Sequence, residues 1–414
     1  MSGPSGLPDP GGSPPPARPP RPMVRRRGGH AGLYAAVGSI AIVALAIAGG
    51  LNSHWYGLVP GTTPGACPTG TTLQGAGAAF PSALVSYWGA KYSGDTANQV
   101  NYAASGAGAG VTLLTDKQID FAVTDEPLNG TETTDLVGAG GSVLTLPVAG
   151  GAVSMVYNLP SYSGPLNLTG TEIAGVYNGS ITAWNDPTLV ANNPRLAAVS
   201  GGIYAVHRTD QAGMSYVLTD LLSIDNAAWR AGPGTSIQPN WPSFSGAVGE
   251  SGNSALLKEV ARQTGAIGYT DLYDAEVKGL PTGLVENSQG RYIAPSVGST
   301  LSAVDDIYNA SPDSFPASNA SWAGVSFVNA PGVADYPLAT LVYFMVPQDP
   351  GAGHTASMGD AEILVQWLHW TLTSGESFNS TAYPFVNPPG PLATEAIAAL
   401  STMNYKNSAI ATCG

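Results

Sequence analysis

From Leu73 onward the apolar positions of the chain fall into two alternating textures: short continuous runs, and longer stretches in which apolar residues recur at helical spacing. The runs Ile119–Thr124 (IDFAVT), Gly151–Val156 (GAVSMV), Gly265–Tyr269 (GAIGY) and Ala339–Val346 (ATLVYFMV) predict buried strands, and Leu256–Arg262 and Ala361–Thr373 predict helices. Strand and helix in alternation, with short loops between them, predict an α/β fold of parallel sheets covered by helices.

Three segments carry more than a fold signal. Ala205–Leu222 (AVHRTDQAGMSYVLTDLL) runs a short strand into a polar turn with Arg208 and Asp210, after which Gly213 opens an apolar, helix-compatible run. That order aims the free N–H groups of a helix start, with a guanidinium beside them, at one point, which suits an oxyanion. Leu73–Val85 (LQGAGAAFPSALV) and Val100–Leu114 (VNYAASGAGAGVTLL) repeat the arrangement, with Pro81 placed for the first turn of a helix. The same glycine-rich turns also serve as plain tight connections in α/β proteins.

Ahead of these segments the texture changes. Residues 1–30 form a tail, rich in Pro, Gly and Ser through residue 24, that predicts disorder. Arg25–Arg27 then precede the uncharged apolar stretch Ala31–Leu51, which has the roughly 20 residues a bilayer-crossing helix needs and whose basic flank keeps the tail cytoplasmic. Trp55 and Tyr56 fit the far interface. Ala46-Ile47-Ala48 resembles a cleavage site, so a removed signal peptide is the other reading. Either way the rest of the chain is extracytoplasmic. Residues 52–70, including GLVPGTTPGACPTG, predict a spacer.

The chain has 414 residues, 43% of them hydrophobic and only 10% charged, which allows a large core divided between two lobes under a neutral polar surface. Its formal net charge is −13; five of the 15 basic residues and one of the 28 acidic ones lie in the tail, leaving ten basic against 27 acidic residues, net −17, beyond it. That balance excludes nucleic acid as a partner. A small anion held by dipoles and one arginine remains compatible with it. Cys67 and Cys413 bracket the folded region and predict either one disulfide in an oxidising compartment or two unpaired thiols. Sequons at Asn129, Asn167, Asn178, Asn309, Asn319 and Asn379 fit an exported protein, and also arise by chance in an Asn/Ser/Thr-rich chain.

Catalysis finds no support. Among His30, His54, His207, His354 and His369 none has metal-ligand spacing, and His369 between Trp367 and Trp370 reads as a packed residue. Ser215 in GMSYV lacks the second glycine of a nucleophile elbow. Gly106, Gly108 and Gly110 have the wrong spacing for a dinucleotide fingerprint, no Walker sequence occurs, and no cofactor is implied.

Seven stretches in order resemble the phosphate-binding proteins of the phosphate ABC transporter: GAGAAFPSAL at Gly75, VNY at Val100, DFAVTDEPL at Asp120, IAGVYNGSITAWNDP at Ile173, VHRTDQAGMSYVLTDLL at Val206, GNSALLKEVARQTGAIGY at Gly252 and YPLATLVYF at Tyr336. The resemblance implies a two-lobed type II periplasmic-binding-protein fold with anion bound between the lobes. It implies a discontinuous first lobe, residues 71–147 and 338–414, a second lobe, residues 148–337, and a hinge near Leu146–Gly151 and Asp335–Leu341. Cys67 and Cys413 would then share one lobe, which favours the disulfide. It further implies a monomer, not an enzyme, that delivers inorganic phosphate to ABC permease subunits from a membrane tether.

Residue by residue, the resemblance gives Asp125 the role of accepting a P–OH hydrogen bond, which hydrogenphosphate offers and sulfate does not. Arg208 would pair with both the anion and Asp125. Gly213 would open the helix-start loop, and Phe80 would turn its backbone N–H to the ligand. The site as implied comprises Ala79, Phe80, Ala107, Asp125, Arg208, Ala212, Gly213 and Met214. Ala79, Ala107, Ala212 and Met214 stand where relatives have hydroxyl donors. Hydrogen bonds to charged groups contribute roughly 1.5–3 kcal/mol each, so four losses are worth ~6–12 kcal/mol against the ~8 kcal/mol of a micromolar complex. Ser105, Thr124, Thr209 and Ser215 are the candidate replacements. A retuned or disused cleft, in a surface, sensor or scaffold module, is the competing expectation.

Overall fold

The computed structural model describes residues 67–128 and 130–411. The tail, the apolar stretch Ala31–Leu51, the sequon residue Asn129 and Cys413 lie outside the described residues. Among the described residues no helix is long and apolar enough to cross a membrane.

The first strands are β1 (Thr72–Gly77), β2 (Gln99–Ala103) and β3 (Phe121–Thr124), with helix α1 (Ser82–Thr96) after β1, α2 (Ala107–Thr115) after β2 and α3 (Gly130–Gly140) after β3. The long strand β4 (Val143–Asn158) follows, then β5 (Tyr204–Arg208), α4 (Gly213–Asp225), β6 (Ala247–Glu250), α5 (Asn253–Arg262), β7 (Ala266–Asp271) and α6 (Leu272–Lys278). Helix α7 (Val297–Ala310), β8 (Ala339–Pro347), α8 (Met358–Thr371) and α9 (Gly390–Leu400) complete the frame. The eight strands make one sheet in the order β2-β1-β3-β8-β4-β7-β5-β6.

The pairing shows how one sheet serves two lobes. Residues 143–152 of β4 pair antiparallel with β8, and residues 153–158 pair antiparallel with β7. β1 pairs parallel with β2 and β3, and β5 parallel with β6 and β7. The uniformly parallel sheets predicted from the alternation are therefore mixed. β4 carries the chain from one lobe to the other and β8 returns, so these two must run in opposite directions. The predicted strand Gly151–Val156 is the second part of a 16-residue strand, buried over nearly its whole length and apolar on both faces. Pro147 offers no N–H to the ladder, and the register slips opposite it, between Val342 and Tyr343. Gly150 packs on Val386 and Gly151 on the rings of Phe80 and Phe385, so the middle of β4 has no room for side chains.

Aromatic packing fixes the first lobe. Phe121 stacks on Phe344 at 5.2 Å between centroids, and Tyr92 meets Trp367 of α8 edge-on at 5.3 Å. Trp88 is fully buried and its indole N–H donates to the carbonyl of Gly375 at 2.9 Å. A second cluster joins Ala76, Val111, Leu136 and Tyr343 to Val304 of α7, Trp322 and Phe327. These last three belong to the segment expected in the second lobe, 148–337, yet they pack with β1, α2, α3 and β8. Both described ends of the chain also rest here. Gln366 Nε2 donates to Cys67 Sγ at 3.3 Å, and the Asn404 N–H donates to the carbonyl of Gln348 at 2.9 Å.

Candidate functional site

Three loops converge where the two parts of the sheet face each other. In the first, Gly77 has φ of +146°, and a Cβ there would overlap the carbonyl of Val123, so only glycine lets β1 turn this close to β3. Phe80 is buried with its ring edge-on to Phe385 at 5.5 Å, and Pro81 stands at the N-cap position of α1 rather than inside its first turn. In the second, Gly106 caps α2 with φ of +98°, and its N–H donates to the carbonyl of Gly77 at 2.9 Å. Ala107 begins α2 and is fully buried.

The third loop joins β5 to α4 and carries the charge. Arg208 is 1% exposed; its Nε donates to Asp210 Oδ1 at 2.7 Å and its Nη2 to Asp210 Oδ2. The ion pair thus forms with Asp210, two residues on, and the expected pairing with Asp125 is not made: Asp125 feels Arg208 through its field alone. Asp210 also accepts the N–H of Gly252 at 2.9 Å, which ties the arginine to the start of α5. Burial works against the guanidinium's charge, but the hydrogen bonds and charge of Asp210 outweigh it, so the Arg208 pKa rises and that of Asp210 falls. The backbone of the loop is braced from behind by residues 232–246. Trp241 Nε1 donates to the carbonyl of Arg208 at 2.9 Å, Gln238 Nε2 to that of Thr209 at 2.8 Å, and the Ala212 N–H to that of Ile237 at 2.9 Å. Neither Gln238 nor Trp241 sits in a motif, and no local signal marks them.

Across from this loop, at the end of β3, Asp125 is 1% exposed and its carbonyl is held by Thr340 Oγ1 of β8 at 2.8 Å. Asp125 Oδ1 and Arg208 Nη1 are both buried without a hydrogen-bond partner. Ala212 caps α4 without a side-chain hydrogen bond, and the Met214 N–H at the helix start bonds to Asp125. A Cβ on Gly213 would overlap the carboxyl oxygens of Asp125 and Glu126, and one on Gly108 would overlap the Gln211 side chain. The lobes are therefore in contact, and the cleft is shut. Burial pushes the Asp125 pKa up to about 6, against the Glu126 hydrogen bond and the Arg208 charge that lower it.

The structure thus gathers Asp125, Arg208, Gly213 and Met214 at one point. It turns the ring of Phe80 into the core between β4 and Phe385. Among the described residues none of the four candidate replacement hydroxyls bonds to Asp125, Arg208 or Gly213. Thr124 Oγ1 is spent on the carbonyl of Glu126 at 2.9 Å, Ser215 Oγ bonds the Tyr269 hydroxyl at 2.7 Å, and Ser105 and Thr209 are exposed. Asp210 and Glu126 were in plain view in the sequence, beside Arg208 and Asp125, but no motif gave them a role.

Residues 62–374 match the PBP superfamily domain. The chain is 30% identical over 325 residues to the phosphate-binding protein PstS of Xylella fastidiosa, covering 77% of this chain and 82% of the relative. It is 30% identical over 301 residues to PstS of Haemophilus influenzae, covering 71% and 83%. A crystal structure of a phosphate-binding protein from Stenotrophomonas maltophilia superposes with a TM-score of 0.60 at 18% identity, over 80% of this chain and 94% of that one, which shows a shared fold.

Proposed function

Because the chain belongs to the PstS family of phosphate-binding proteins within the PBP superfamily, we propose that it captures hydrogenphosphate between its lobes outside the cytoplasm and delivers it to an ABC permease. The family is one of transport receptors, and the chain is not an enzyme. The observation that carries the reading is the pair of buried, unpartnered atoms, Arg208 Nη1 and Asp125 Oδ1, beside the start of α4, which has no side-chain cap. A guanidinium N–H and helix N–H groups suit the anionic oxygens, and the carboxylate suits the P–OH. With Ala79, Ala107, Ala212 and Met214 in place of hydroxyl donors, affinity rests on backbone N–H groups and Arg208.

Calorimetric titration of the full-length protein with phosphate and with sulfate is the test. Saturable heat with phosphate and none with sulfate is expected. Silence toward both at millimolar concentration overturns the proposal in favour of a surface or scaffold role, and preference for an uncharged ligand overturns it in favour of a retuned cleft.

The remaining features follow this reading. The lobes divide within β4 and β8, with residues 71–147 and 338–414 in the first and the core of the second within 148–337; the packing of Val304, Trp322 and Phe327 supports moving α7 and its trailing segment into the first. Ala31–Leu51 anchors a monomeric receptor beside its permease, and Cys67 pairs with Cys413, a reading supported by both described ends of the chain resting on the first lobe. Salt- and carbonate-resistant membrane fractionation reads the anchor, and thiol labelling that requires prior reduction reads the disulfide; a soluble chain or two freely labelled thiols would refute them.

A further inference from the structure

Glu126 follows Asp125 and is equally buried, at 1% exposed, and its two buried carboxyl oxygens have only Asp125 as a hydrogen-bonding neighbour. Its Oε2 and the Oδ1 of Asp125 both lie against Gly213, so two carboxyl groups share the space before one helix start. Two ionised carboxylates there would repel each other and stay desolvated. One shared proton removes both costs, since it makes one group a donor and leaves the other an acceptor.

We propose that Glu126 is a specificity-determining residue of the anion cleft, protonated from solvent as the lobes close, whose acid O–H restores a donor to a site stripped of hydroxyls at Ala79, Ala107, Ala212 and Met214. The inference rests on the phosphate reading above. Glu126 as an acid beside hydrogenphosphate holds the same protons as Glu126 carboxylate beside dihydrogenphosphate. In either description the closed site carries one proton more than Asp125 alone requires. Of the groups that face Glu126, the charges of Asp125 beside it and Glu132 from α3 favour keeping that proton, and the Asp125 backbone N–H opposes it. Tyr216 from α4 and Tyr343 from β8 face it as neutral phenols, and the Arg208 cation acts on Asp125. Burial first, then the charges of Asp125 and Glu132, raise the Glu126 pKa well above the carboxylate range.

Opening the lobes returns Glu126 to water and lowers its pKa toward the ordinary value, so closure on a ligand takes up a proton. Affinity therefore falls as pH rises above the open-state pKa, by up to about tenfold per unit. The experiment is phosphate titration of the full-length wild type and Glu126→Gln from pH 5.5 to 8.5, the ratio of their Kd values cancelling the ionisation of phosphate itself. Gln keeps a neutral donor that cannot titrate, so the ratio of wild-type to variant Kd should rise at least about tenfold across the range. A flat ratio, or a folded variant that binds at no pH, overturns the inference while leaving the phosphate reading intact. A wild type that binds phosphate at no pH sinks that reading and this one together. Should the variant not fold, wild-type titrations at pH 7 in two buffers of different ionisation enthalpy decide it: net proton uptake on binding supports the role, and none refutes it.

Discussion

Arg208→Ala loses phosphate affinity by about two orders of magnitude or more. Among the described residues Arg208 is the cation that acts on Asp125, and its Nη1 is a buried donor without a partner. A charge-assisted hydrogen bond is worth roughly 1.5–3 kcal/mol, and here its removal also leaves Asp125 and Asp210 with no opposing charge near an incoming anion. The effect is on binding more than on folding, because Asp210 is 24% exposed and can be rehydrated. Arg208→Lys keeps the charge but loses the fork that holds Asp210 through two nitrogens. It should recover only part of the loss. Calorimetric titration reads the affinity and a circular-dichroism melt checks the fold; a folded Arg208→Ala protein binding within threefold of wild type would show that the anion seat is elsewhere.

Gly213→Ala separates closure from folding. Gly213 needs space: a Cβ would occupy the positions of Asp125 Oδ1 and Glu126 Oε2 across the cleft. In the first turn of α4 alanine is the better helix former by about 0.5–1 kcal/mol. The variant should therefore melt at or above the wild-type temperature while binding phosphate at least about thirtyfold more weakly, the discrimination of roughly 2 kcal/mol that overpacking a tight contact costs. Small-angle scattering should show wild type contracting on phosphate and the variant failing to do so. Near-normal binding together with normal contraction would mean that the contact at Gly213 is not part of the closed, liganded state.

The sequence displayed those features that depend on neighbours along the chain. Runs such as Ala339–Val346 became strand β8, Leu256–Arg262 lies inside α5, and Ala361–Thr373 overlaps α8, because apolar periodicity is set over a few residues. The anion loop was legible for the same reason, since Arg208, Asp210 and Gly213 sit within six positions. Its wiring was not: whether Arg208 turns to Asp210 or to Asp125 depends on where a strand more than eighty residues earlier comes to rest. The brace from Gln238 and Trp241 and the packing of Trp322 on α2 and α3 are likewise long-range, and nothing in local pattern encodes them. Glu126 is illegible for a different reason. An acidic residue after an aspartate reads as surface charge until its neighbours are known to exclude water.

Strand β4 sets a constraint of its own. Its residues hold both lobes through one ladder, opposite β8 first and β7 afterwards, and side chains along a strand alternate between faces with a period of two. A single residue inserted near Gly150 would turn Val153, Met155 and their neighbours inside out, whereas a coil connection would absorb it. Drift in length over evolutionary time is thus confined to loops at the periphery, and the swing of one lobe against the other is limited to the twist and shear that a continuous ribbon allows.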